Sequence, residues 1–308
     1  MVTIDLTTPG PAAPSFLEGL PRRLALTLPE LRLVAELAGD APLPFDLLEQ
    51  GTDGAALSGR LGHTPDSADH AAYVDALASL HDPAETLRRR GLVGAEGADP
   101  GLVGAVGLLA TPRLALDIDV AAGGSQVKAW HRHADGAVAT LSTCDGIVFE
   151  LAWLPAEQWT TELSRITTVP DSVPSSASAV PGHLDLPYSL VDAVGEALRA
   201  GRSDLVPVLV AQASGGVLAD DRTLDEAASA AAVSALHTES RGRLRILAAE
   251  VHHEHTTDVG VVSWVLLADG WHSITPRHDD DGPRVVVRRV DPTDLATELA
   301  PVLAQVIA

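Results

Sequence analysis

The densest run of residues able to hold a metal or move protons is His252-His253-Glu254-His255. On a strand, where successive side chains point to opposite faces, His253 and His255 share one face and His252 and Glu254 the other, so at most two ligands converge. Zinc takes three or four. His131 and His133, also two apart, would complete a set only if their segment neighbours this one. Polar histidines at strand ends are therefore the main reading, a metal-dependent or small-ligand site at His252–His255 is the alternative, and no metal is assigned. Asp279-Asp280-Asp281-Gly282 lacks the D-x-D-x-D-G spacing of a calcium loop and lies between two alternating apolar runs, as a hairpin turn does. Ser214-Gly215-Gly216 lacks the first glycine of G-x-S-x-G, and the chain has no P-loop, G-x-G-x-x-G or H-E-x-x-H. Cys144, the single cysteine, has no basic neighbour to lower its pKa; it reads as a small buried apolar residue rather than a nucleophile. No catalytic residue and no cofactor is expected.

What must position these residues is a folded body. The chain has 308 residues, 46% hydrophobic and 20% charged, a composition able to bury enough apolar area to offset chain entropy. Against 21 basic residues stand 42 acidic ones, and Lys128 is the only lysine. A net charge of −21 argues against nucleic acid and anionic membranes, both of which need clustered Lys and Arg. One cysteine allows no internal disulfide, and no run of 18 apolar residues or leader peptide is present, so the expected location is cytoplasmic, without membrane insertion.

Residues 1–22 carry prolines without a period and read as a flexible arm. Thr27-Leu28-Pro29-Glu30 is a capping box opening a helix that Gly39 stops. A helix from about His70 to Leu80 and a second from Asp82-Pro83 to Arg90 follow. Four runs of period 2 come next, at 113–120, 126–133, 137–143 and 147–153, separated by Gly-Gly and Asp-Gly turns, and Pro155 then opens another helix. Residues 168–187, rich in Pro and Ser, read as a linker. Beyond it, helices are expected at 189–200 and 223–240, the latter opened by a T-x-x-E box. Strands follow at 243–255, 259–268, 271–278 and 284–290, then a final helix after Asp291-Pro292.

The halves repeat. Arg113-Leu114-Ala115-Leu116 returns 130 residues later as Arg243-Leu244-Arg245-Ile246; Trp130-x-x-x-Ala134-Asp135-Gly136 returns 134 later as Trp264-x-x-x-Ala268-Asp269-Gly270; Thr161-Glu162-Leu163 returns 136 later as Thr297-Glu298-Leu299. The expected fold class is α+β: a duplicated unit of helices, a four-stranded antiparallel meander and a helix, with pseudo-twofold symmetry and a central, mostly antiparallel sheet covered by helices. Its parts are the arm 1–22, an N-terminal half 23–167, the linker 168–187 and a C-terminal half 188–308. The meanders can pair edge to edge, which removes two exposed strand edges. Along 259–268 both alternating sets are apolar, so that strand is either covered on both faces or offers one face as an apolar platform for a protein.

The opening LTLPELRLVAELAGDAPLPFDLL, the sequel YVDALASLHDPAETLRRRGLVGAEG running into TPRLALDIDV, and the closing Trp264, Ala268-Asp269-Gly270, Trp271 and terminal helix resemble the EspG-type chaperones of actinobacterial type VII (ESX) secretion. The resemblance covers about 24–165 and 186–306. It implies a cytosolic, non-enzymatic chaperone, monomeric or homodimeric, that binds and masks the apolar tip of a PE–PPE-type helical substrate and directs it to its secretion system. It places the contacts on the 259–275 strands and the helices around 189–240. Strand alternation then picks Val265, Leu267, His272 and Ile274 as expected partner-binding residues.

Overall fold

The computed structural model describes residues 22–45, 68–213, 216–251, 256–280 and 282–306. The mixed α+β architecture is the one expected. By chain contacts it forms two compact units, one of Met1–Pro112 with His131–Trp159, the other of Arg113–Trp130 with Thr160–Ala308.

In the first unit, β1 (Arg22–Thr27) leads into α1 (Leu28–Leu37). The capping box is formed as expected: Glu30 N donates to Thr27 Oγ1 and Thr27 N to Glu30 Oε2. After α2 (Ala68–Ala78), α3 (Pro83–Arg89) starts on Asp82, whose carboxylate accepts from Glu85 N, and carries Arg88 and Arg89 in its last turn. A two-residue hairpin, β2 (Val93–Gly94) and β3 (Gly97–Ala98), precedes α4 (Pro100–Ala110). The first meander comprises β4 (Leu114–Ala122), β5 (Ser125–Ala134), β6 (Ala137–Thr143) and β7 (Val148–Pro155), of which the end of β5 from His131, β6 and β7 belong to this unit. β6 pairs with β7 and β7 with β1, all antiparallel.

The second unit takes β4, the beginning of β5 and, from Thr160 in α5 (Trp159–Thr167), everything that follows. Its remaining elements are β8 (His183–Pro187), α6 (Tyr188–Arg199), α7 (Val206–Gln212), the hairpin β9 (Leu218–Ala219) and β10 (Arg222–Thr223), and α8 (Glu226–Thr238). The second meander is β11 (Gly242–Val251), β12 (Thr256–Leu267), β13 (Gly270–Asp279) and β14 (Gly282–Arg289), and α9 (Leu295–Val306) closes the chain. Eight strands of this unit lie in the order β4-β11-β12-β13-β14-β8-β9-β10. The edge-to-edge pairing expected from the repeat is there: the first strands of the two meanders run antiparallel, with Ile118 opposite Ile246. Gly242 permits it, since a Cβ there would lie 2.2 Å from Ala121 O.

Two readings of the sequence need correction here. Residues 183–187, assigned to the linker, are strand β8, with Leu184 and Leu186 buried and paired to β14; the flanking Pro and Ser residues hid a five-residue alternation. It is the counterpart of β1, likewise missed inside a presumed helix entry, and each enters a helix. The T-x-x-E box at Thr223 is not the helix cap: Thr223 lies in β10, and Asp225 caps α8 by accepting from Ala228 N at 2.7 Å.

Candidate functional site

The expected partner-binding residues are brought together, but inside the fold. Val265 and His272 are directly opposed on β12 and β13, and Leu267 and Ile274 continue the same face. That face is covered by α6, α7 and α8: Val265 and Leu267 join Leu184, Leu190, Val206, Val233 and Val287 in one core, with Ile274 packed against it. Val265 is 8% exposed, Leu267 1% and His272 0%. Of the two readings of strand 259–268, the covered strand is thus the structure found over Val262–Leu267, and the open apolar platform is corrected there. Of the helices that cover it, α6 and α8 are those expected at 189–200 and 223–240, while α7 lies where the sequence pattern was ambiguous between helix and strand.

The other chemistry-bearing residues are accounted for in turn. His252–His255 lie outside the described residues, as do Ser214, Gly215, Asp281 and residues 1–21 of the arm. Among the described residues no group of three His, Cys, Asp or Glu is placed to hold a metal. His131 is buried and its Nδ1 accepts from Trp159 Nε1 at 2.9 Å, while His133 stacks on the same indole at 5.5 Å and 12°. Asp279 pairs with Gly282 in a hairpin, as expected. Cys144 is exposed, not buried as expected, because β6 ends one residue earlier at Thr143. Partial burial and then Asp145 raise its pKa, which keeps it a thiol.

His272 carries a consequence of its own. Its Nδ1 lies 3.3 Å from Gly270 O, and its Nε2 has no hydrogen-bond partner among the described residues, with Asp269 Oδ1 3.8 Å away. Burial lowers its pKa below the ordinary 6.5; Asp269 and Glu239 pull upward and Arg289 adds to the fall. The unfolded chain takes up a proton that the folded one refuses, so stability from the neutral imidazole is complete above the unfolded value of about 6.5 and is lost as pH falls toward the lower folded value. Between about pH 7.5 and 5.5 the parent should lose more thermal stability than His272→Asn. Melting curves check this; equal losses would show that the imidazole does not resist protonation.

A more exposed surface lies farther back along β12 and on β11 and β4 beside it. On β4, Leu114, Leu116, Ile118 and Val120 are buried while Ala115, Asp117 and Asp119 alternate toward the other side. On β11, Leu244, Ile246 and Ala248 are buried, with Arg243 and Arg245 exposed and Leu247 half-buried. Register makes two cross-strand rows of these: Asp119, Arg245 and Ser263, then Asp117, Leu247 and Val261. Gln126 Nε2 donates to Asp119 at 3.1 Å, and Val261 is 50% exposed. The face is half charged and half apolar, with basic groups in an acidic chain. Sequence alternation contained this set, but nothing in it marks which alternating face stays uncovered.

Among the described residues, no helix is long and apolar enough to cross a membrane. No protein family and no curated protein matches the sequence. The fold is similar to that of the type VII secretion system chaperone EspG5 of Mycobacterium tuberculosis, solved in complex with a PE25-PPE41 dimer, with a TM-score of 0.57, 9% identity, and coverage of 90% of this chain and 95% of that one. At 9% identity the likeness is one of fold.

Proposed function

We propose, from this likeness of fold, that the chain is a non-enzymatic chaperone of type VII secretion that binds the apolar tip of a PE–PPE-type helical substrate. It masks that tip in the cytoplasm and directs the substrate to its secretion system, needing no cofactor. The observation that carries the reading is the match over 90% of the chain to a chaperone caught with a PE–PPE dimer. The uncovered rows on β4, β11 and β12 give it a surface of fitting chemistry. Leu247 and Val261 accept apolar side chains of a helix tip, and Arg243 and Arg245 meet its carboxylates or helix C-termini. The surplus of acidic side chains keeps a protein with such a surface soluble.

Co-expression with each PE–PPE-like pair of the source genome tests it. One pair should co-purify in fixed stoichiometry, and Val261→Asp or Arg245→Glu should each weaken binding by about tenfold or more, equivalent to about 1.4 kcal/mol. Failure of every pair to co-purify overturns the function. Binding that survives both substitutions moves the contact off this face.

A further inference from the structure

The first unit has an apolar cleft of about 350 Å³ between α4 and the turn joining β5 to β6, walled by Gly101, Gly104, Leu108, Ala134, Val138 and Trp153. That volume is within the range of ligand pockets. Trp153 is 4% exposed, and its Nε1 is buried without a hydrogen-bond partner among the described residues, a donor that lacks an acceptor. The ring edge that carries this nitrogen is turned to the α4 wall: a Cβ on Gly101 would stand 3.2 Å from Cζ2, two bonds from Nε1. The lining holds one charged side chain, Asp135, and no cation, which disfavours an anionic occupant.

The second unit shows what fills the corresponding place. The buried positions Leu102, Ala105, Val106 and Leu109 of α4 return 127 residues later in α8 as Ser229, Ala232, Val233 and Leu236. The turn Ala134-Asp135-Gly136 returns as Ala268-Asp269-Gly270. Residues 174–180 run between the end of that helix and that turn. Ser176 N donates to Ala268 O at 2.8 Å, Arg241 Nη1 to Pro174 O, and Ser178 Oγ and Ala179 N to the Glu239 carboxylate just past α8. Val180 enters the core at 4% exposure. A proline-bearing segment thus fills the place, held mostly through its backbone groups.

The two places differ in what anchors an occupant. Thr238-Glu239 stands where the first unit has Thr111-Pro112, so the carboxylate that takes Ser178 Oγ and Ala179 N has no equivalent at that position. The first cleft presents a donor instead, Trp153 Nε1. An occupant there turns a carbonyl, not an N–H, to the anchoring residue. Residues 172–182 bear two prolines and no charged side chain, and a lining that is apolar apart from Thr111, Asp135 and the Trp153 nitrogen suits a segment of the same kind. Proline also lowers the entropy lost when such a segment is ordered.

We propose that the cleft between α4 and the β5–β6 turn is a docking groove for an uncharged, proline-bearing peptide segment of a partner protein. Apolar side chains of the segment pack against Gly104, Leu108 and Val138, and one of its backbone carbonyls accepts from Trp153 Nε1. This does not rest on the proposed function, since the groove lies apart from the uncovered rows on β4, β11 and β12 and is built from other residues.

The indole N–H resonances of the nitrogen-15-labelled full chain test it. The probe is the synthetic peptide Ser-Val-Pro-Ser-Ser-Ala-Ser-Ala-Val-Pro-Gly, the sequence of residues 172–182, and comparison with Trp153→Phe assigns the Trp153 signal among the five tryptophans. Titration should move that signal downfield as the donor gains an acceptor, with half-saturation at or below about 1 mM peptide. Gly104→Leu fills the cleft from a helix position where a Cβ meets nothing within 4 Å and leucine improves on glycine; it should weaken binding by about tenfold or more. The same peptide with aspartate in place of both valines should not bind. A Trp153 signal that stays in place at about 10 mM peptide overturns the proposal. So does a shift that Gly104→Leu leaves unchanged, or one that the aspartate peptide reproduces. A signal that moves on dilution of the protein alone overturns it too, and assigns the cleft to a second copy.

Discussion

Arg284→Ala is expected to cost about 3–5 kcal/mol of folding stability. Arg284 is 4% exposed on β14. Its Nε donates to Asp185 Oδ1 at 2.5 Å, and its Nη2 to Asp185 O at 3.1 Å and Gly216 O at 3.3 Å. Asp279 Oδ2 stands 3.4 Å from the same guanidinium, and Arg277 Nη1 reaches the second oxygen of Asp185 at 2.8 Å. Alanine removes the fork and leaves the Asp185 carboxylate, 5% exposed, with the largely solvated Arg277 as its remaining cation. A buried charge deprived of its partner is what makes such losses large. The double variant Asp185→Leu with Arg284→Met should recover much of the loss, because two apolar side chains leave no charge behind. Urea unfolding of the three proteins decides it; a loss under about 1 kcal/mol for Arg284→Ala would mean that water serves Asp185 as well as the arginine does.

Trp271→Ala should be as damaging, at about 3–5 kcal/mol. The ring is 2% exposed and lies 6.2 Å from that of Trp264 at 52°, and its Nε1 donates to Thr167 O at 2.7 Å. Alanine both empties a large volume and leaves the last carbonyl of α5 without its donor. Trp271→Phe keeps most of the volume and loses the donor, so its cost should fall to about 1–3 kcal/mol. Thermal unfolding separates the two effects. Equal stability of Trp271→Phe and the parent would assign the whole cost to packing.

The period-2 runs and their Asp-Gly and Gly-Gly turns made both meanders legible, because alternation and turn chemistry are local. So were the caps at Thr27 and Asp82. Strand β8 was not: its register is held by Arg284, 99 residues from Asp185, and no local pattern announces a contact at that separation. The fate of Val265, Leu267, His272 and Ile274 shows the same limit. Alternation grouped them correctly on one face, but which face of a doubly apolar strand meets solvent depends on where α6, α7 and α8 come to rest. Arg245 was read as strand and no more, while Val261 belonged to the strand read as either covered or an open platform and is 50% exposed.

The antiparallel pairing of β4 with β11 carries a consequence for ancestry. Two identical strands joined this way must obey a twofold axis, and each residue then faces its own kind or a near neighbour. If Leu114–Ala122 met a second copy of itself about Asp117 or about Ile118, Asp117 would face an aspartate, a repulsive pair at the centre of the joint. In the fused chain Asp117 faces Leu247 and Asp119 faces Arg245. Within one polypeptide the two sides of the seam need not be the same, and here an arginine stands opposite an aspartate and a leucine opposite the other.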